Sequence, residues 1–151
     1  MAEELEVDVT YAARRPWVPR RGQFKMWAEA ALSGLARANV LSVRVVGAAR
    51  SRSLNARYCR KDKPTNVLSF SGPGLSPDGI HYLGELVICA PVVAREAASQ
   101  GKSPESHWAH MTVHGVLHLL GFDHERHAEA RKMAAREVQI LDRLGFSNPY
   151  A

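Results

Sequence analysis

Apolar residues recur along this chain with two different periods, and each period predicts one kind of element. Alternation with polar residues predicts a strand over Glu6–Tyr11, and short apolar runs predict three more over Val40–Val46, 66–70 and 83–89. Helical spacing and turn signals predict helices over 23–38, 51–58, about 91–100, 104–120 and 125–144. Glycines and prolines over 71–79 predict a loop. The predicted order is therefore βαβαββααα.

The helix over 104–120 has signals at both ends. Ser103 can cap its first turn, and Pro104 suits the first helical position because proline has no backbone N–H to lose there. Gly121 suits the left-handed conformation that commonly ends a helix, and Gly145 does the same for the last helix.

The order of elements also predicts the fold class. The strands over 66–70 and 83–89 are joined by one loop, which favours antiparallel pairing, whereas the other strands are joined through helices, which favours parallel pairing. We therefore expect an α+β fold in which a small mixed β-sheet of about four strands is packed by about five helices, with the histidine-bearing helix central. A length of 151 residues predicts one domain over 1–151.

Composition excludes some classes of protein. The longest apolar stretch, over 86–94, is nine residues and contains Pro91, whereas a membrane-spanning helix needs about 20. The acidic start MAEELEVDVT does not resemble a secretory signal, and the two cysteines, Cys59 and Cys89, do not make a disulfide framework. These features predict a soluble, cytoplasmic protein.

Charge is distributed unevenly along the chain. Residues 14–63 contain 13 lysines and arginines but only two acids, whereas the remaining residues contain 7 basic and 13 acidic side chains. A basic first half favours a polyanionic partner such as RNA. An ordinary solvated basic surface would give the same pattern.

Histidines carry the most specific signal, since six of the seven lie between residues 107 and 127. His114 and His118 are four residues apart, so on a helix they lie on one face, one turn from each other. Gly121 then lets the chain turn back, and His124 can supply a third nitrogen. Three imidazoles suit Zn²⁺, with Ni²⁺, Co²⁺ or Mn²⁺ as alternatives, and leave a fourth coordination position open, as in catalytic zinc sites.

The other residues of this stretch allow several interpretations. His110 is one turn before His114 and is expected to support a ligand or to be a core residue, whereas His107 and His127 are expected to be solvated. Asp123 can orient an imidazole or cap the broken helix. Zinc proteases with the motif HExxHxxGxxH have a glutamate where this chain has Gly115, so peptidase chemistry by that route is not expected. Nothing in the sequence places Glu137 or Glu85 in that role.

The segment HGVLHLLGFDH resembles the signature of the YbeY family of metal-dependent endoribonucleases, which act in ribosomal RNA maturation. Two further segments also match, SLNARYCRKDKPTNVLSF over 53–70 and LGELVIC over 83–89. So do residues of the tail: Met133, Glu137, Ile140, Leu141, Leu144, Gly145, Pro149 and Tyr150. The resemblance covers about 54–150.

This resemblance implies Zn²⁺ binding by His114, His118 and His124, and single-strand-specific cleavage of RNA. It further implies processing of the 3′ end of small-subunit ribosomal RNA and a role in ribosome quality control.

One position departs from the family pattern. The family has an arginine, proposed to be catalytic, where this chain has Cys59, and Arg57 and Arg60 are the candidates to replace it. Arg60, with Arg57 as the second choice, would hold the phosphate while the ion activates water or polarises a phosphate oxygen. The alternative is that this chain lacks the arginine's role.

The predicted RNA contacts come from the same segment. Lys61 and Lys63 are predicted to position phosphates, or are solvated loop lysines. Asn66 and Ser69 are predicted to orient RNA, or are a turn and a strand residue. Two alternatives to an endoribonuclease remain at this point: a metal-dependent hydrolase of a peptide or small molecule, and a non-catalytic, ribosome-associated factor with structural zinc.

Overall fold

A computed structural model describes residues 5–33, 40–122 and 125–151. Their elements follow the predicted order. The strands are β1 (Glu6–Tyr11), β2 (Val40–Val46), β3 (Val67–Leu75) and β4 (His81–Cys89). The helices are α1 (Arg21–Leu32), α2 (Ala48–Cys59), α3 (Ala90–Ser99), α4 (Pro104–Leu119) and α5 (His127–Arg143).

The four strands form one mixed sheet in the order β1-β2-β4-β3. β1 pairs with β2 and β2 with β4 in parallel, whereas β3 pairs with β4 antiparallel. The predicted α+β class, with a mixed sheet of four strands and five helices, is confirmed. β1 and β3 are the two edge strands, which becomes important for the placement of the candidate site.

The main core lies on one face of the sheet, under α1, α4 and α5. Phe24 and Trp27 of α1 pack edge to face at 6.0 Å between ring centroids, and Phe24 packs against Trp108 of α4 in the same way at 5.9 Å. Ten of the sixteen residues of α4 are buried, so this helix is central, as predicted. A smaller core of Val46, Leu68, Val87, Cys89 and Val92 lies on the opposite face, where Leu54 of α2 packs.

Several predicted bounds were wrong. Five residues of the predicted loop over 71–79 belong to β3, and β4 begins at His81, two residues earlier than expected. One of the glycines that suggested a loop, Gly72, allows two backbones to approach closely, since a Cβ there would lie 2.6 Å from the carbonyl oxygen of Tyr82. A register shift between Ser71 and Gly74 accommodates the irregularity.

The helix bounds differ less. α1 begins two residues before the predicted start, α2 begins three residues before it, and α5 begins at His127 instead of Glu125. Residues 34–38 of the predicted first helix lie outside the described residues. No helix in the described ranges is long and apolar enough to cross a membrane.

Candidate metal centre

Helix α4 carries the paired histidines, and its ends are built as the sequence predicts. The Ser103 side chain accepts a hydrogen bond from the Ser106 backbone N–H at 3.2 Å. At the other end, Gly121 has a φ of +97°, which lets the backbone N–H of Phe122 reach back to the carbonyl of Leu117 at 3.1 Å. The chain therefore turns at Gly121, three residues after His118, as the predicted site requires.

His114 and His118 lie one turn apart on the outer side of α4. Their rings are nearly parallel, with an angle of 7° between planes and 6.5 Å between centroids. His114 is partly buried and His118 is exposed. His124, the predicted third ligand, and Asp123 lie outside the described residues. Within the described ranges no three His, Cys, Asp or Glu residues are grouped closely enough to hold a metal ion.

A buried carboxylate from α5 supports His114. Glu137 is 1% exposed, and its Oε1 lies 3.0 Å from Nδ1 of His114. Burial alone would raise the pKa of Glu137, but hydrogen bonds from His110 and His114 outweigh it and lower the pKa to about 2. The carboxylate is therefore ionised and can only accept, so Nδ1 of His114 must carry the proton and Nε2 is left unprotonated. A ring held in this tautomer is suited to bind a metal ion through Nε2.

The two preceding histidines of α4 are buried. His110, predicted to support a ligand or to be a core residue, has Nε2 2.6 Å from Oε2 of Glu137, so that expectation is confirmed. The prediction that His107 is solvated was wrong, because it is 2% exposed and Nε2 lies 2.9 Å from Oε1 of Glu96. Burial lowers the pKa of His107 despite the opposing effect of Glu96. His127 is exposed, as predicted.

The packing around Gly115 explains why α4 has no side chain at the position where the zinc proteases have a glutamate. A Cβ at Gly115 would lie 2.8 Å from Cδ2 of Leu86 and 3.3 Å from Cγ2 of Val67. The helix therefore packs directly on β3 and β4 at this residue, and a glutamate side chain has no room. The contact is reinforced by Ser69, whose hydroxyl donates to the carbonyl of Gly115 at 3.2 Å.

Strand β3 separates the histidine helix from the helix that carries the candidate arginines. Ser69 contacts α4, whereas the next residue, Phe70, packs edge to face against Tyr58 of α2 at 5.2 Å. The Arg57 guanidinium lies over the Tyr58 ring, 5.3 Å from its centroid. Arg60 ends α2 in the left-handed conformation, with a φ of 57°. Both arginines are exposed.

The loop that carries the predicted phosphate contacts is fastened to α2 by two buried side chains. The side-chain amide of Asn55 donates to the carbonyl of Lys63 at 2.8 Å, and the backbone carbonyl of Asn55 accepts from the backbone N–H of Lys61 at 3.3 Å. The Ser51 hydroxyl both accepts from the Thr65 N–H and donates to the Thr65 carbonyl. The Lys61 and Lys63 residues are exposed.

Asn66 joins this loop to the interior. Its amide donates to the carboxylate of Glu96 at 3.1 Å, and Oε1 of Glu96 is the oxygen that also contacts His107. Asn66 therefore has a partner inside the protein, immediately before β3 begins. Its predicted contact with RNA, and that of Ser69, stay predictions.

Three residues that support the site were not predicted from the sequence: Glu137, Asn55 and Ser51. Glu137 belongs to the tail that matches the family pattern, and a lone acid at an apolar helix position was the available signal. Asn55 and Ser51 lie on the inner face of α2, where a polar residue must find a partner.

Fold and site together define a class of protein, namely an α+β protein in which a central helix presents two histidines, one of which, His114, is hydrogen-bonded to a buried carboxylate. The comparisons narrow the class. A family profile described as endoribonuclease YbeY matches residues 19–145. An endoribonuclease YbeY from Stenotrophomonas maltophilia strain R551-3 is 51% identical over 151 residues, covering 97% of this chain and 94% of the relative. One from Nitrosococcus oceani is 45% identical over 148 residues, covering 97% of each.

The chain therefore belongs to the endoribonuclease YbeY family, as HGVLHLLGFDH predicted. Membership supports a metal-dependent nuclease that hydrolyses RNA phosphodiester bonds and acts in ribosomal RNA processing, and it does not favour the two alternatives. The solution structure of TM1509 from Thermotoga maritima has the same fold, with a TM-score of 0.62 at 20% identity over 91% of this chain and 87% of that one.

Proposed function

We propose that this protein is a zinc-dependent, single-strand-specific endoribonuclease. Its proposed substrate is the 3′ end of small-subunit ribosomal RNA. It would act on ribosomal particles in the cytoplasm, and it would also take part in ribosome quality control. The observation that carries the proposal is the hydrogen bond from Nδ1 of His114 to buried Glu137, with a second imidazole one turn away. This arrangement prepares a ring nitrogen for a metal ion at the surface of the protein.

The residues fit a zinc ion by their donor chemistry. His114, His118 and His124 would hold it, with neutral nitrogens that match the preference of Zn²⁺. When bound, the ion would supply Lewis-acid stabilisation of phosphate charge and a more acidic water. Glu137 keeps the His114 ring in one tautomer and one orientation. Gly115 and Ser69 hold α4 against the sheet, so the two imidazoles lie at a fixed height above β3.

The RNA strand is proposed to cross the β3 edge. On one face of β3 lies α4 with its histidines. On the other face lie α2, with Arg57, and the loop that follows it, with Arg60, Lys61 and Lys63. A phosphate between them would be contacted from one side by the metal centre and from the other by a guanidinium, either Arg57 or Arg60. The exposed lysines would contact neighbouring phosphates without reading the sequence.

The proposal is tested by histidine substitution. His114→Ala and His118→Ala should lose bound zinc, as measured by elemental analysis, and should lose cleavage of a single-stranded RNA. His127→Ala is the matched control, since His127 is exposed on α5 and should retain both properties. Undiminished cleavage by His114→Ala would refute the proposed mechanism.

Two further measurements refine the proposal. Chelation followed by readdition of Zn²⁺, Mn²⁺, Co²⁺ or Ni²⁺ identifies the metal that supports cleavage. End-group analysis of the products distinguishes attack by water from attack by the ribose 2′-hydroxyl, because only the latter leaves a cyclic phosphate.

A further inference from the structure

The C-terminal segment reaches the buried carboxylate behind the metal helix. Tyr150 is 55% exposed as a residue, yet its hydroxyl donates to Oε2 of Glu137 at 2.7 Å. The same hydroxyl lies 3.3 Å from Nε2 of His110, and the two rings meet edge to face at 5.5 Å. One side of Tyr150 therefore faces solvent while its polar end enters the interior.

The two oxygens of Glu137 have different partners. Oε1 accepts from His114, whereas Oε2 accepts from both His110 and Tyr150. Because Glu137 is buried, water does not compete for these positions. The contacts at Oε2 fix the rotation of the carboxylate, and that rotation determines where Oε1 meets the His114 ring.

The tail that supplies Tyr150 is itself anchored. The backbone N–H of Phe146 donates to the carbonyl of Leu141 at 2.8 Å, and the Phe146 ring packs against Trp27 at 6.4 Å. The backbone N–H of Tyr150 donates to the side chain of Asn148 at 2.8 Å. The tyrosine hydroxyl is thus presented to Glu137 by a segment with its own contacts to the core.

We propose that Glu137 and Tyr150 are positioning residues for the metal ligand His114, so that the C-terminal segment is a functional part of the metal centre. This inference rests on the proposed function, because it concerns how the ligand of that centre is oriented. Both residues would act on the ion through His114, because Glu137 contacts His114 and Tyr150 contacts Glu137.

Glu137→Gln and Tyr150→Phe test the inference directly. The first keeps the shape of the side chain but removes its charge, and the second removes only the hydroxyl. Zinc affinity, measured by competition with a chromophoric chelator, should fall about 10–100-fold in Glu137→Gln, the usual range for a lost carboxylate behind a metal-binding histidine. It should fall less, but measurably, in Tyr150→Phe. The visible absorption bands of the Co²⁺-loaded protein should shift in both variants, which a merely structural role would not cause.

Tyr58→Phe is the matched control, since Tyr58 contacts Phe70 and lies on the other side of the sheet from Glu137. It should keep the wild-type zinc affinity and cobalt spectrum. If His114→Ala loses zinc while Tyr150→Phe and Glu137→Gln bind it like the wild type, this inference is overturned and the proposed function stands. If the wild type binds no zinc, the proposed function fails instead.

A second feature, independent of the metal centre, is the loop between β1 and α1, here called the arginine loop (residues 12–20). Trp17 at its centre is 47% exposed, and Arg14, Arg15 and Arg20 are exposed around it. No acidic residue occurs between residues 9 and 28. In the described part of the chain, none of these three guanidinium groups forms an ion pair with a carboxylate.

The arginine loop is held in one conformation by Tyr11. The Tyr11 hydroxyl donates to the carbonyl of Pro19 at 2.6 Å. The guanidinium groups of Arg14 and Arg21 lie over the Tyr11 ring, 4.7 Å and 5.3 Å from its centroid. Arg21 also donates to the carbonyl of Val9 at 3.3 Å. The charges and the exposed indole are therefore presented together by a fixed loop.

We infer that the arginine loop binds single-stranded RNA, with a base stacked on Trp17 and phosphates contacted by the arginines. An exposed aromatic ring among arginines that lack a carboxylate partner is the usual platform for single strands, because every base has a stacking face and every phosphate a negative charge. The loop follows β1, at the opposite edge of the sheet from β3. It would hold substrate at a distance from the metal centre, which deepens the proposed function.

Tryptophan fluorescence offers a direct test, because Trp27 and Trp108 are buried and Trp17 is exposed. Titration with oligouridylate should quench the wild-type signal, and quenching should be absent in Trp17→Phe. RNA affinity, measured by anisotropy of a labelled oligonucleotide, should fall about tenfold in Trp17→Ala and in Arg14→Gln/Arg20→Gln. The double variant Arg95→Gln/Arg143→Gln, at exposed arginines on α3 and α5, is the charge-matched control.

The outcomes separate the two ideas. Equal RNA affinity in the wild type, Trp17→Ala and Arg14→Gln/Arg20→Gln would overturn the inference about the loop. If Arg95→Gln/Arg143→Gln lowers the RNA affinity as much as Arg14→Gln/Arg20→Gln does, the effect is one of net charge, and the inference about the loop is overturned as well. Absence of any RNA binding by the wild type would count against the proposed function itself.

Discussion

Oε1 of Glu137 lies 3.0 Å from Nδ1 of His114, across the boundary between α5 and α4. The last long helix of the chain thereby determines the tautomer of a side chain on the central helix. The same carboxylate accepts hydrogen bonds from His110 and Tyr150, so three side chains are held by one buried charge. The metal centre and the packing of the two helices are therefore coupled.

Replacement of Glu137 by alanine should destabilise the fold as well as the site. Glu137→Ala leaves a cavity and removes the acceptor of two imidazoles and a hydroxyl, and a buried donor left without its partner costs about 1–3 kcal/mol. Urea denaturation of the metal-free protein measures this loss. Glu129→Ala, at an exposed position of α5, should change the free energy of unfolding little. Equal stability of the two variants would contradict the network.

Close packing at Gly115 should make this residue intolerant of any side chain. Gly115→Ala places a methyl group against Leu86 and should cost about 1–3 kcal/mol, the usual cost of overpacking. Gly22→Ala is the control, because a Cβ there meets nothing within 4 Å. It should be neutral or slightly stabilising in the first turn of α1. Thermal unfolding of both variants measures the difference, and a stable Gly115→Ala protein would contradict the packing described.

The fastening of the 60–66 loop by Asn55 should affect RNA cleavage without affecting the metal. Asn55→Ala removes the donor to the carbonyl of Lys63, so Arg60, Lys61 and Lys63 lose their fixed position. We expect a higher KM for single-stranded RNA and an unchanged zinc content. Arg52→Gln breaks only the exposed ion pair with Asp62 and should change neither quantity much. An unchanged KM in Asn55→Ala would show that the loop does not need this contact.

Metal removal should lower stability by mass action. Zinc at 100 times its dissociation constant would stabilise the folded state by about 2.7 kcal/mol. The wild type should therefore have a lower Tm after chelation, and His114→Ala should show no such difference. A chelator effect of equal size in both proteins would indicate that the ion binds elsewhere.

The sequence predicted best what depends on local chemistry. Ser103 and Gly121 fixed the ends of α4, and the spacing of His114 and His118 placed both on its outer side. The buried state of His107 could not be read locally, because it depends on Glu96 from a different helix. Glu137 was missed for the same reason, since its partners are 23 and 27 residues away along the chain. The glycines of β3 predicted a loop, although Gly72 permits a close approach of β3 and β4.

The alternation of Ser69 and Phe70 has a consequence for how this protein tolerates insertions and deletions. Because neighbouring strand residues point to opposite faces, a shift of β3 by one position would turn Ser69 away from α4 and Phe70 away from α2 together. A single-residue deletion ahead of Val67 would thus disconnect both halves of the candidate site, whereas many substitutions in the same stretch would disturb only one. Length between α2 and β3 is consequently under tighter constraint than the identity of the exposed residues it carries.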